Sequence, residues 1–237
     1  MMTTSIFTTS AKEYALKVDR FVCNKFGIAE FFARTFVMPD VSCKNVLDVG
    51  CGAGPLMVFL ADQYRALIDG VEMSVDACRC CRANLSHFGM LNRCDVFEGE
   101  FATFAQSRPC GCYDLIVSNP PLDANVQSET VAFYNAMDRR RVNSELFSYR
   151  TNSWHDNNGD DLLDQTLDYS IGHLKAGGRV VVSFCEIDGV ELDFVTAKGI
   201  KRGFRLRRHV SGSLPPDSIG VRGTHTIIGH YVEFERT

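Results

Sequence analysis

The chain has 237 residues, 45% of them hydrophobic and 23% charged, enough to bury a sizeable core and to exclude a disordered or fibrous polypeptide. A formal net charge of −4 gives no global attraction to polyanions, so any nucleic-acid contact has to come from local basic patches. No run of about 18 apolar residues occurs, and the start MMTTSIFTTSAKEYALKV has no basic stretch followed by an apolar one. Neither a membrane span nor a secretory signal is expected, and the cytoplasm is the expected compartment.

The first 43 residues carry Tyr14, Val18, Phe21, Val22, Phe31 and Phe32 at amphipathic spacing and predict a short helical cap, with one domain covering 44–237. Lys44–Gly50 is an apolar run ending in glycine and predicts a buried strand; Pro55–Tyr64 follows with helical spacing, its proline at the first helical position. Ala66–Glu72 predicts a second strand and Val75–Phe88 a second helix. Strands are then expected at Cys94–Glu98 and Tyr113–Ser118, a helix at Leu162–Leu174, a turn at Ala176–Gly178 and a strand at Arg179–Phe184. Phe204–Val210 and Thr224–Phe234 flank a Leu214-Pro215-Pro216-Asp217 break and predict an antiparallel hairpin at one edge. Strands alternating with helices give an α/β doubly wound, seven-stranded, mostly parallel sheet, with ligands bound at the carboxyl ends of its strands.

Ten cysteines stand in mostly apolar or helical settings, where a free thiol acts as a small hydrophobe. Cys78, Cys80 and Cys81, with Cys110 and Cys112, are the group from which a zinc site would have to be built. On one helix the first three thiols point in different directions, so reduced thiols and no metal are expected.

Two stretches carry chemistry. Leu47-Asp48-Val49-Gly50-Cys51-Gly52-Ala53-Gly54 runs from a strand into a glycine-rich turn that opens a helix, as required where backbone turns tightly and lies close against a ligand. Glu72, 18 residues after Gly54 and at the end of the next strand, can accept both hydroxyls of a ribose. A dinucleotide site shares these features. The second stretch is Ser118-Asn119-Pro120-Pro121-Leu122, where consecutive prolines stiffen the strand's exit. It presents the Asn119 side-chain oxygen and a main-chain carbonyl as two aligned acceptors for an amino group. Such acceptors point a nitrogen lone pair at an incoming group and favour the ammonium character that develops on it.

Together these residues resemble the class I S-adenosylmethionine-dependent N-methyltransferases, a Rossmann-like family with an (N/D)PP(Y/F/W) motif after the fourth strand. The resemblance covers about 44–185. It implies S-adenosyl-L-methionine as cofactor and S-adenosyl-L-homocysteine as product. Asp48, Gly50, Cys51, Gly52, Gly54, Glu72, Met73, Glu100, Phe101 and Asn119 would bind the cofactor. Asn119, Pro120, Pro121 and Leu122 would hold the acceptor. Asn158–Leu163 and Leu174–Gly178 look most like the protein-glutamine branch. Leu122 departs from the family's aromatic residue and cannot stack on a planar base. The departure favours a small-molecule acceptor, amino-acid-like or a specialised metabolite, over an RNA or DNA base or a protein glutamine. A catalytically silent cofactor-binding module is a further alternative.

Asp123–Asp161 is long enough for a substrate lid and holds Tyr134, Arg139, Arg140, Arg141, Tyr149, Arg150 and Trp154, with His155 a candidate base for an acceptor ammonium. Lys201, Arg202, Arg205, Arg207 and Arg208 form a late basic stretch, read as a charged edge strand in preference to a phosphate-contacting stripe.

Overall fold

The structure is a computed structural model; it describes residues 2–19, 22, 26–38, 43–119, 162–186, 192–215 and 227–237. In chain order the elements are β1 (Met2–Thr8), β2 (Glu13–Asp19), α1 (Gly27–Thr35), β3 (Asn45–Val49), α2 (Pro55–Tyr64), β4 (Leu67–Glu72), α3 (Val75–His87) and β5 (Cys94–Glu98). They continue as α4 (Phe101–Gln106), β6 (Tyr113–Ser118), α5 (Leu162–His173), β7 (Leu174–Glu186), α6 (Leu192–Lys201), β8 (Phe204–Leu214) and β9 (Ile227–Arg236).

Seven strands form one sheet in the order β5-β4-β3-β6-β7-β9-β8. The five from β5 to β7 are parallel; β9 runs antiparallel to both β7 and β8. The strands read as unbroken apolar runs because both faces are covered. Val46, Leu115, Val117 and Val181 pack on the side of α1, α2 and α3, while Leu47, Val49, Ile116, Val180 and Val182 pack against Phe104 of α4, Leu167 of α5 and Val195 of α6. The expected doubly wound sheet with its antiparallel C-terminal pair is therefore present. The turn expected at Ala176–Gly178 is a register irregularity inside β7: Tyr113 pairs with Leu174, and Leu115 pairs with Arg179.

The N-terminal stretch differs from the expected helical cap. It is a β-hairpin followed by one helix. β1 and β2 pair antiparallel from Met2↔Asp19 to Thr8↔Glu13, and the Thr9 hydroxyl closes the turn by donating to the Lys12 carbonyl at 2.8 Å. Tyr14, Leu16 and Val18 alternate inward and join the core formed by α2, α3 and the sheet. The reason for the difference is periodicity: Tyr14 and Val18 stand four apart, which satisfies a strand's period of 2 as well as a helix's 3.6.

β8 is an edge strand, and its residues 205–209 are all exposed. Arg205 and Arg207 both pair with Glu235 of β9 (2.7 and 3.1 Å), and the Arg208 guanidinium lies over the Tyr231 ring. Charge on this edge suits its role in blocking strand addition. No helix among the described residues is long and apolar enough to cross a membrane.

Candidate active site

Three carboxyl ends of strands meet at one place. β3 leaves the sheet through Gly50 (φ 74°), Gly52 (φ 56°) and Gly54 (φ 83°), all in the left-handed region that side chains with a Cβ rarely adopt. The Gly50 and Cys51 N–H groups both donate to the Val71 carbonyl of β4, at 2.9 and 3.2 Å. Gly54 donates to the Cys51 carbonyl and leads into α2, with Pro55 in the first turn. The two later glycines do different work. A Cβ on Gly54 would lie 2.6 Å from the Cys81 Sγ of α3, whereas a Cβ on Gly52 would meet nothing within 4 Å. The turn is thus packed on one side and open on the other, a cradle for a ligand against backbone.

Glu72 ends β4 and folds its carboxylate onto this turn. Its Oε2 accepts the Gly52 N–H at 3.0 Å and its Oε1 accepts the Ser74 N–H at 2.8 Å. Burial pushes its carboxyl upward, opposed by the N–H groups of Ser74, Gly52 and Met73. Asp48 sits within β3, 2% exposed, and its Oδ2 has no hydrogen-bond partner among the described residues. Burial first, and the Glu72 charge second, push its carboxyl up to about 8. The Cys51 thiol is buried and raised well above the usual range, chiefly by its hydrogen bond with Cys81 and by burial.

The third strand end is β6. The Ser118 hydroxyl donates to the Val49 carbonyl at 3.0 Å, locking the exit of β6 to that of β3, and Asn119 follows, half-buried. Pro120, Pro121 and Leu122 lie outside the described residues, as does the expected 123–161 lid with His155 and Trp154. Gly99 donates to the Glu72 carbonyl at 3.0 Å, which draws the β5–α4 connection to the same edge. Glu100 is exposed at the N-terminus of α4. Phe101 turns inward, its ring edge-on to Tyr169 at 4.9 Å, and belongs to the core instead of the site's surface.

Two contributors were not read from the sequence. Ser118 was passed over for its neighbour. Asn84 is fully buried on α3; its amide accepts the Lys17 N–H at 2.6 Å and donates to the Lys17 carbonyl and, at 2.9 Å, to the Ala53 carbonyl of the glycine turn. An asparagine in an apolar helical pattern is the signal that could have found it, since buried amides are retained where they are bonded.

A separate cleft of about 440 Å³ is lined by Asn45, Leu67, Arg93, Cys94, Arg108 and Tyr113 among others. Asn45, Leu67, Cys94 and Tyr113 are the first residues of their strands, so this cleft lies at the opposite end of the sheet from the glycine turn. Cys78, Cys80 and Cys81 are buried, Cys110 is exposed, and no group of three or more His, Cys, Asp or Glu among the described residues is arranged to hold a metal. Burial raises the Cys78 thiol to about 12.

The sheet order with its antiparallel C-terminal pair is a Rossmann-like methyltransferase fold, and the glycine turn and the acidic end of the adjacent strand stand at the carboxyl edge of its sheet. Residues 28–139 match the family model of the methyltransferase small domain. Among curated proteins, the chain is 34% identical over 79 residues to the tRNA1(Val) (adenine(37)-N6)-methyltransferase of Parabacteroides distasonis, covering 33% of each chain. It is 32% identical over 79 residues to the rRNA N(6)-adenosine-methyltransferase metl-5 of Caenorhabditis elegans, covering 33% of this chain and 37% of that one. The match thus spans about a third of the length of these relatives. Among solved structures, M. jannaschii TYW2 in complex with AdoMet superposes with a TM-score of 0.57 at 14% identity, covering 100% of this chain and 88% of that one. A methyltransferase from Pyrococcus furiosus gives 0.51 at 18% identity, covering 93% and 89%. At such identities these two structures speak to the fold alone.

Proposed function

We propose that this chain transfers a methyl group from S-adenosyl-L-methionine to the exocyclic N6 of an adenine in RNA. The observation that carries the chemistry is that Asn119, first residue of an Asn-Pro-Pro stretch, follows Ser118, whose hydroxyl bonds the Val49 carbonyl where β3 enters its glycine turn. The acceptor is supported by the relatives, whose names describe adenine-N6 methylation of tRNA and rRNA. The small-molecule acceptor favoured by Leu122 has no such support. Leu122 alone does not decide against a base, because a base can also be held by its amino group and by contacts elsewhere.

The residues present suit the cofactor. Gly52 leaves open space against bare backbone, its N–H is held by the Glu72 carboxylate, and the buried Asp48 side chain stands on β3 just before the turn. The Glu72 carboxylate would take the ribose hydroxyls, and the backbone of Gly50, Cys51, Gly52 and Gly54 would lie along the amino-acid portion. Met73 and Glu100 would flank its adenine side. When bound, the cofactor supplies a sulfonium methyl group. Asn119 and the Pro120 carbonyl would accept the two N–H bonds of the acceptor amine, fix its lone pair in line and stabilise the developing positive charge. Displacement from a sulfonium needs this alignment more than it needs a strong base.

The test is incubation of the protein with methyl-labelled S-adenosyl-L-methionine and, separately, total tRNA, ribosomal RNA and a panel of amino acids and small amines, followed by nucleoside analysis. Label recovered as N6-methyladenosine supports the proposal. Label in small amines alone returns the reading to a metabolite acceptor. Cofactor binding with no label in any acceptor supports a silent binding module.

A further inference from the structure

Asp48 and Glu72 bring two carboxylates to one buried place. Asp48 is 2% exposed, with an Oδ2 that has no partner among the described residues. From β4, Gly70 stands opposite it in register and Glu72 lies two residues beyond. From β6 come Val117, in register, and Ser118. The glycine turn contributes the Cys51 thiol, and α3 contributes the Cys81 thiol that bonds it. None of these groups is a cation. A buried ionised carboxylate without a partner is costly, and a second carboxylate nearby makes ionisation harder still. The cofactor expected at this turn carries positive charge at both its sulfonium and its α-ammonium.

We infer that Asp48 holds a proton in the ligand-free protein and releases it to solvent when S-adenosyl-L-methionine binds. The inference rests on the cofactor site argued above. The balance is simple: the carboxylic acid becomes a carboxylate, the proton passes to buffer, and the ligand's cationic charge replaces it. Burial and the Glu72 charge act in the required direction on this group. Binding of the methyl donor is then linked to pH through a residue of the protein.

Calorimetric titration of the protein with S-adenosyl-L-methionine in phosphate, HEPES and Tris at one pH gives the number of protons exchanged, from the slope of heat against buffer ionisation enthalpy. The ligand's own amino group titrates near pH 7.7–8.0, by analogy with an α-amino terminus, so the quantity read is the difference between wild type and Asp48→Asn. At pH 7 the wild type is expected to release close to one proton more than Asp48→Asn, and the difference is expected to fade above about pH 9. Equal slopes in two proteins that both bind would overturn the inference and leave the cofactor reading standing. No binding by the wild type in any buffer would overturn both. Carboxyl ¹³C shifts of aspartate-labelled wild type provide a measurement that needs no variant. One resonance should sit at the neutral position at pH 7 and move to the ionised position on addition of ligand. Absence of such a resonance would also overturn the inference.

Discussion

The carboxylate of Glu72 closes on the backbone N–H of Gly52 at 3.0 Å, tying the end of β4 to the glycine turn that leaves β3. The same carboxylate accepts the Ser74 N–H at 2.8 Å, at the start of α3. One side chain therefore holds two backbone segments that the proposed cofactor must lie between.

Replacing Glu72 by alanine is expected to reduce affinity for S-adenosyl-L-methionine by about 100-fold and to cost roughly 1–3 kcal/mol of stability, because two partly buried N–H groups lose a charged acceptor. Glu72→Gln should recover part of the stability and less of the affinity, since an amide offers a single acceptor oxygen. Calorimetry and denaturant unfolding read the two quantities. Unchanged affinity in Glu72→Ala would remove this residue from the cofactor site.

Gly52 and Gly54 separate ligand contact from packing. Both have positive φ, so alanine at either incurs backbone strain of about 1 kcal/mol or more. At Gly52 the added methyl meets nothing, so Gly52→Ala should fold with little further loss and yet bind the cofactor poorly. At Gly54 it would stand 2.6 Å from the Cys81 Sγ. Gly54→Ala should therefore melt several degrees lower, with partial recovery in the Gly54→Ala/Cys81→Ala double variant. Thermal melts of the three proteins check this, and equal melting of the single and double variants would rule out the contact as the cause.

The strand order from β3 to β6 was legible because strands buried on both faces read as apolar runs and end in glycine, glutamate or asparagine where the chain turns. The position of Glu72 followed from that order. Tyr14 and Val18 were illegible as strand residues because four is a spacing common to both periods. α4 and α6 were not predicted: α4 has only 6 residues, and in α6 Phe194 and Ile200 are exposed and Val195 is its fully buried large side chain, so its apolar stripe is narrow. Phe101 was expected among the cofactor-binding residues beside Glu100, while the energy of burying an aromatic ring places it in the core. Asn84 shows in the sequence only as a polar residue within a helical pattern; its importance comes from the hairpin and the glycine turn arriving at the same amide.

That amide gives a third prediction. Asn84→Ala leaves the Lys17 N–H, the Lys17 carbonyl and the Ala53 carbonyl without their side-chain partner in a buried setting. A loss of about 2–4 kcal/mol is expected, with the hairpin exchanging its amide hydrogens faster than the sheet does. Hydrogen exchange of β2 against β3 is the direct measurement. Uniform acceleration across the whole chain would mean that the hairpin does not open as a local unit.

Asp48 predicts a pH dependence of stability. Its carboxyl is raised from 3.8 to about 8, first by burial and then by the Glu72 charge. Between these values the folded ligand-free protein holds a proton that the unfolded chain has lost. The stabilising contribution is thus complete below about pH 4 and is lost as pH rises through about 8. About four units correspond to roughly 5 kcal/mol across the window. Asp48→Asn removes the titration, so its stability relative to wild type should rise from pH 5 to pH 9. Denaturant midpoints at intervals of one pH unit read the difference, and parallel curves would show that Asp48 does not titrate there.

Asn119 provides the sharpest separation of binding from chemistry. It follows Ser118, which is bonded to the β3 exit, so its backbone is set by the sheet at the edge where its side chain is proposed to act on an acceptor. Asn119→Ala is expected to lower kcat by about 100- to 1000-fold, the scale for removing one hydrogen-bonding group aimed at developing charge. Cofactor affinity should change by no more than a few-fold. Asn119→Asp keeps one acceptor oxygen and adds a charge that suits the ammonium forming on nitrogen, so it should retain more activity than alanine. Single-turnover rates with labelled cofactor, alongside calorimetric affinity, distinguish the outcomes. Parallel loss of rate and cofactor affinity in both variants would make Asn119 a structural support of the turn, and would leave the acceptor amine without its proposed hold.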